Sequence, residues 1–404
     1  MPVDLPDVEP SDAQPKPPRA IVWLGVFVVV MLAGVVIALL TWPKGEPTQT
    51  AWFWVRLLAF PALAWCTLFG LRLHYHDDEI QRLQAQREVL VEDRERALLF
   101  ASEPLAVLGH AYLTEPGSEN LAGSIANREL ALSAQTSATG TDAIRHTALA
   151  FTDDAENPER YRACFTALIE RIAGSVSAVP GKVPLSVCLQ LPADVDQQDL
   201  LGMWQSCWTA KHLRPVMARL LPAASGVMAL DEWLDIRGGP SLEKATLFVS
   251  VQLHDAPQQS SAEAAVGVLL AWAPLAERCA LDAQAFLHRP VEAGASGLDA
   301  AISSALLWGR ATAAEVGDLW QAGLFSTDKS ALLQAASDTK LAVSQTSAFA
   351  GLHDVDLAIG NPGVCAGWLA IALGIEHAAQ LGVQQFIAWH EGTLRLAVIR
   401  ASRA

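Results

Sequence analysis

The sequence is poor in the signals that usually announce a chemistry. Its six cysteines (Cys66, Cys164, Cys188, Cys207, Cys279 and Cys365) are scattered, with no C-x-x-C pair and no Cys/His cluster at zinc spacing. Scattered thiols in a chain of this size read as small buried residues, so neither a disulfide framework nor a structural metal is expected. No run of Lys and Arg interrupts a chain of formal net charge −15, which argues against a phosphate-binding surface and hence against nucleic acid. No G-x-S-x-G stands at a strand–helix turn, so a serine hydrolase of that kind is excluded. No G-x-G-x-x-G follows a strand and no G-x-x-x-x-G-K-[ST] occurs, so nucleotide binding has no support and no cofactor is implied. His74 and His76, beside Asp77 and Asp78, read as an interfacial polar cluster rather than a metal site.

One absence is long. Between Arg19 and Lys44 there is no charged residue, and AIVWLGVFVVVMLAGVVIALLTW fills positions 20–42. About 20 apolar residues at a helical rise suffice to cross a hydrocarbon core of ~30 Å. The run is too long and uniform for a signal-peptide core, and no small-residue cleavage site follows it. A second apolar run, residues 51–71, carries a single charge, Arg56, placed to snorkel among Trp52, Phe53 and Trp54. Pro61 is expected to kink it. The two runs predict a transmembrane helical hairpin whose interfacial residues are Arg19, Trp42, Trp52, Trp54, Arg56 and Arg72. Arg72, Arg82 and Arg87 after the second span, against Lys44 alone in the turn, favour an inner-membrane protein with its C-terminal part in the cytoplasm. Residues 1–19, rich in Pro and Asp, read as a disordered tail.

Beyond the hairpin, residues 77–100 are highly charged and rich in helix formers. They predict a helical stalk, solvated rather than self-paired because Arg87 and Arg94 break its apolar seam. From there to the end, strand and helix patterns alternate. VPLSVCLQLP (183–192) alternates at period two and ATLFVSVQLH (245–254) is strongly β. SGVMALDEWLDI (225–236) and GLDAAISSALLWG (297–309) read as helices, and AQAFLHRPV (283–291) as a strand. Ser260, three residues before Glu263, has the spacing of a capping box and so of a helix start, although a family resemblance of the same stretch suggests a different reading. The chain closes with a helix over 364–380, a strand VQQFIAW, a turn HEG and a strand TLRLAVIRA. Such alternation implies an α/β layered domain over 101–404.

Several of these stretches, taken in order, resemble the β-ketoacyl synthases of the thiolase-like superfamily. SAEAAVGVLLA (261–271) is similar to that family's G-E-G-A segment, with Ala262 and Ala264 at glycines. VGDLWQAGLFSTDKSALL (316–333) resembles the N-A-H-G-T segment of the first catalytic histidine, with Trp320, Gln321 and Ala322 before Gly323 and no histidine. IGNPGVCAGW (359–368) resembles the second histidine loop, G-H-T-x-G-A-A-G, with Asn361 at the histidine and Cys365 at a small position. PAASGVMALDEWL (222–234) is similar to the nucleophile turn T-A-C-A-x-G, with Ala223 or Ala224 in the cysteine's place before Ser225 and Gly226. The resemblance implies an αβαβα fold of two similar halves, their boundary near 255–283. It also implies a degenerate pocket at Ala223, Ala224, Ser225, Gly226, Trp320, Ala322, Asn361 and Cys365. Decarboxylative condensation needs a thiolate and donors for the enolate and oxyanion. All three matching positions are lost here, so the chain is expected not to be an enzyme.

Two readings of Cys365 stay open: a small residue that lets a helix pack closely, or a thiol activated by a helix N-terminus. The function expected is that of a membrane-anchored adaptor or chaperone for a protein client. In general layout the chain is also similar to type VI secretion lipase adaptors, which implies a secreted effector as client. The alternatives are an acyl-transfer enzyme at the membrane, using Cys365 or Cys207, and a non-catalytic partner subunit of an active ketoacyl synthase. A homodimer is compatible with each. Among the 13 tryptophans, Trp204, Trp208, Trp233, Trp308, Trp320, Trp368 and Trp389 are candidates for the core and in part for a partner-binding surface.

Overall fold

The computed structural model describes residues 3, 5–6, 16–136, 143–150, 157–222, 225–294 and 297–402. Most of the 1–19 tail lies outside them, as do Ala223 and Ala224. The chain divides into two compact units, Asp4–Leu98 and Leu99–Ala404, the latter together with Met1–Val3.

The first unit is helical. Helix α1 spans Ala20–Thr41 and α2 Ala51–Trp54, and after a π-helical turn at Val55–Ala59 helix α3 runs from Phe60 to Ala101. The π turn has a local cause. Pro61 has no N–H to give back along the helix, and the backbone widens just before it, with Phe60 N bonded to Val55 O. Helices α1 and α3 pack closely: Trp65 Nε1 donates to Trp23 O at 3.0 Å. A Cβ on Gly34 would fall 2.1 Å from Pro61 Cγ, so the glycine is what lets the crossing close. Arg19 precedes α1, Trp42 follows it and stacks edge-on against Phe53, Trp52 and Trp54 are more than half exposed, Arg56 sits in the π turn and Arg72 lies over Tyr75. By length and composition, α1 and the Ala51–Ala101 helix are apolar enough to cross a membrane.

The second unit repeats one topology. Its first half holds β1 (Leu105–Leu113), α4 (Leu121–Ala126), β2 (Ala134–Thr136), β3 (Ala143–Thr147), α5 (Asn157–Ala178), β4 (Leu185–Gln190), α6 (Gln197–Ala210), β5 (Ala218–Leu220), α7 (Ala229–Leu234), β6 (Ala245–Gln252), β7 (Ser261–Ala262) and β8 (Ala264–Trp272). The second holds α8 (Ala273–Cys279), β9 (Ala285–Leu287), β10 (Val291–Glu292), α9 (Leu298–Trp308), β11 (Asp318–Ala322), α10 (Ser326–Asp338), β12 (Leu352–Asp354), α11 (Val355–Ile359), α12 (Ala366–Leu381), β13 (Gln385–Glu391) and β14 (Thr393–Ala401). The main strands lie in the order β5-β4-β6-β8-β1 and then, in mirror sequence, β9-β14-β13-β11-β12. Read from its outer edge, each half has two parallel pairings followed by two antiparallel ones. An antiparallel β1–β9 pair joins the halves.

Period-two alternation sorts the side chains into three cores. Ala265, Leu269 and Ala271 of β8 pack with Phe165, Leu168 and Trp204 of α5 and α6. Ala264, Val266, Val268 and Leu270 point the other way, into a central cluster with α7, α12 and the inner face of the second half, Ile387 and Ile399 included. Phe386, Ala388, Leu396 and Val398 face α9 and α10. The result is helix, sheet, helix, sheet, helix, with α12 in the middle. That helix, with the turn before it, is long and apolar enough to span a membrane, yet 72% of its apolar window is buried inside the unit. A helix apolar on every face is a core helix when other elements cover all of it.

Three expectations are corrected. The capping-box reading at Ser260 fails because Ser260 takes a left-handed turn (φ 59°) into strands β7 and β8. Glu263 instead accepts from Leu149 N and His254 N and ion-pairs with Arg160. The strand expected over 283–291 stops at Leu287, because Arg289 turns into a buried ion pair with Asp231 and Asp235 and Pro290 cannot donate to a ladder. Trp204, Trp208, Trp233, Trp308, Trp320, Trp368 and Trp389 form no surface, since none of these seven is more than 5% exposed.

Candidate functional site

Chain turns from both halves converge near the N-terminus of α12. Gln190 ends β4, Ser225–Val227 lead into α7, Ala322 and Gly323 end β11, Gly360–Gly363 lead into α12, and His390–Gly392 close the last hairpin. This is the carboxyl end of the parallel strands, where open α/β sheets place their ligands. Close approach at this point depends on glycine. A Cβ on Gly323 would fall 2.9 Å from Ala366 Cβ, with Asn361 Oδ1 and His390 O about it, and one on Gly367 would meet Trp389 and Val227.

The turn resembling a nucleophile turn holds a carboxylate. Gly226 has a positive φ of 44°, and a Cβ there would lie 1.4 Å from Glu391 Oε1. Val227 N donates to Glu391 Oε2 at 3.0 Å and Trp389 Nε1 to the same oxygen at 3.3 Å. Gln190 Nε2 donates to Oε1 at 3.3 Å, while Gln190 Oε1 accepts from Trp368 Nε1 at 2.7 Å. Burial pushes the Glu391 carboxyl above its usual range, against the donors Trp389, Gln190 and Val227 and the nearby Arg395. A backbone amide in such a turn can stabilise a developing oxyanion only if it is free to do so. Here it is given to an internal anion.

The other sequence candidates lie as follows. Asn361 shapes the turn: its Oδ1 accepts from Gly363 N at 2.9 Å, and its backbone pairs with Ser260 and Ala262. Ala322 is buried opposite Trp389 in the β11–β13 register, and Ser225 N donates to Pro222 O. Trp320 is not part of this convergence. It points into the central layer and donates to Gln385 Oε1 at 2.8 Å. Cys365 is fully buried with Sγ 3.4 Å from Ala264 O, and burial pushes its thiol up to about 12. Such a thiol is neither a thiolate at neutral pH nor open to a substrate. Cys207 lies in the outer core against Thr166, away from the turns.

Beside Asn361 opens a cleft of about 500 Å³, lined by Arg145, His254, Ser261, Lys329, Asp356 and Asn361 among others. Lys329 is ion-paired with Asp354 (2.7 Å) and Asp356 (3.2 Å), so its charge is spent within the wall. Leu357 on the wall is 71% exposed, and Phe325, next to the lining residue Leu324, is 62% exposed. A second group with metal-ligating side chains lies elsewhere: Asp318, His353 and His377 bring their donor atoms within 4.8 Å of one another. Burial alone would raise the Asp318 carboxyl, but the two imidazoles outweigh it and hold it well below the usual range.

Sequence reading missed both groups. Glu391 and Gln190 are polar residues at the ends of otherwise apolar strands, which was the available signal. Asp318, His353 and His377 come from separate elements and show no ligand spacing.

No protein-family model matches the chain, and no curated protein does. Solved structures do. A ketosynthase from module 6 of the bacillaene synthase of Bacillus subtilis 168 is similar with a TM-score of 0.53 and 9% identity, covering 75% of this chain and 71% of that one. A β-ketoacyl synthase from Burkholderia phymatum gives 0.50 and 13%, covering 74% and 100%. A type II polyketide ketosynthase in complex with its acyl-carrier protein gives 0.50 and 11%, covering 74% and 99%. The layout likeness to type VI secretion adaptors finds no support among these comparisons. The fold of this chain, though not its sequence, is therefore ketosynthase-like.

Proposed function

We propose that the chain is a non-catalytic ketosynthase-like protein, anchored in the inner membrane by its N-terminal helices, that acts by binding another protein. The observation that carries this reading is Glu391, whose carboxylate takes up the Val227 amide and the space over Gly226, in the turn that directly follows the positions where the resemblance puts the thiol. Support comes from the burial of Cys365 and Cys207 and from the side chain of Asn361, which is used to hold its own loop. Exposed Phe325 and Leu357 beside the cleft supply an apolar contact surface of the kind partners cover. Helix α1 and the apolar part of the Ala51–Ala101 helix serve as the anchor, which raises the local concentration of whatever the domain holds. The arginines after the second apolar run favour a cytoplasmic domain. An acyl-carrier protein, the partner seen on one similar ketosynthase, is one class of client, and a secreted effector is another.

The test uses the detergent-solubilised full chain. Incubated with radiolabelled acyl-CoA it should form no thioester, and affinity purification from native membranes should recover a near-stoichiometric protein. That recovery should fall at least tenfold in a Phe325→Ala/Leu357→Ser variant and stay unchanged in Cys365→Ala. Stoichiometric acylation of any cysteine would overturn the reading and restore the acyl-transfer alternative.

A further inference from the structure

From the Asp318–His353–His377 cluster we infer a zinc site of three protein ligands, with a water in the fourth position, that ties together β11, β12 and α12. Three separate elements aim donors at one point. Asp318 opens β11 and shares a face with Trp320, two residues on, and Trp320 is the register partner of His353 on the parallel neighbour β12. Helix α12 contributes His377 to the same cluster. His353 Nε2 lies 2.8 Å from Asp318 Oδ1 and His377 Nε2 lies 3.7 Å from the same oxygen. Ligands held about 2.0–2.1 Å from a tetrahedral ion stand about 3.3–3.4 Å apart, so the ion needs only small rearrangements of the three side chains.

The cluster is incomplete as hydrogen bonding. The 3.7 Å separation is too long for a hydrogen bond, and His377 Nδ1 is buried with no partner. Both histidines are at most 6% exposed, so solvent does not make up the deficit. An ion between the three side chains would give His377 Nε2 the close partner that the 3.7 Å separation denies it, and would leave Nδ1 as it is. The rings are already fixed, with the Trp320 centroid 4.4 Å from that of His353 and 5.4 Å from that of His377. Two imidazoles and a carboxylate suit zinc, whereas magnesium and calcium favour all-oxygen sets. The site stands at the opposite end of β11 from Gly323, roughly 16 Å along the strand. It therefore serves the framework and not the cleft.

Elemental analysis of the purified full chain, expressed with zinc present, should find about one zinc per chain. His377→Gln and Asp318→Asn should each lower the metal content at least fivefold while far-UV circular dichroism remains that of the wild type. Cobalt added to chelator-stripped protein should give visible tetrahedral bands in the wild type and none in either variant. Folded wild type that retains no zinc, and whose cobalt spectrum stays blank, would overturn the site. So would equal zinc in wild type and both variants, which would mark binding elsewhere on the chain.

Discussion

Glu391 sits in a cradle that a single atom would spoil, and that makes two residue-scale predictions. Gly226→Ala combines a left-handed backbone with a Cβ inside the Glu391 carboxylate, so it should cost about 2–4 kcal/mol in denaturant unfolding. Adding Glu391→Ala should recover the part due to the clash and leave the backbone part, a coupling that a double-mutant cycle measures. The carboxylate also predicts a pH dependence. Burial raises its value above the ordinary 4.5, so between 4.5 and the folded-state value the native chain holds more protons than the unfolded one. Stability contributed by this group therefore declines as pH rises through that window and is level above it. Unfolding free energies of wild type and Glu391→Gln, measured at stepped pH, should diverge against the wild type from about pH 4.5 upward. A pH-independent difference would show that the carboxylate is not held as described. Cys365→Ala, by contrast, removes one buried atom and should cost about 1–2 kcal/mol without touching partner recovery.

At the scale of elements, α12 shows why equivalent-looking glycines differ. A Cβ at Gly374 meets Ile387 Cδ1 at 2.6 Å, the far end of a flexible chain, while one at Gly367 meets the rigid Trp389 ring at 2.7 Å and Val227 at 2.9 Å. Gly374→Ala should thus cost about 1 kcal/mol and Gly367→Ala about 2–3 kcal/mol by thermal or denaturant unfolding. The same helix marks what sequence could and could not disclose. Its apolar run, the alternation in β4, the β-branched and aromatic run of β6 and the closing hairpin were legible because local pattern reports local structure. Ser260 and Glu263 misled because their spacing fits a capping box, whereas Glu263 is committed to Arg160 and Leu149, more than 100 residues away along the chain. The Asp231–Arg289 pair that ends β9 and the Glu391 cradle were hidden for the same reason. Each is a long-range contact, and no window of neighbouring residues contains both partners.

For the molecule as a whole, the repeated strand order does not make two independent domains. Helix α12 of the second half packs into the same core as Leu105, Val107, Val266 and Val268 of the first, and β1 pairs directly with β9. Residues 99–272 and 273–404 expressed apart should therefore fail to fold alone, and yield protease-resistant material only when produced together. A stable, well-folded isolated half would contradict the shared central layer. The position of β1 has a further consequence for biosynthesis. It is the first strand of the unit to be made, yet its places in the sheet are between β8 and β9, whose residues follow some 150 positions later. At about 5–20 residues per second the ribosome needs roughly 8–30 s to supply them. Throughout that interval an almost wholly apolar nine-residue strand waits unpaired, so nascent-chain holdases should find their main target on this protein at Leu105–Leu113.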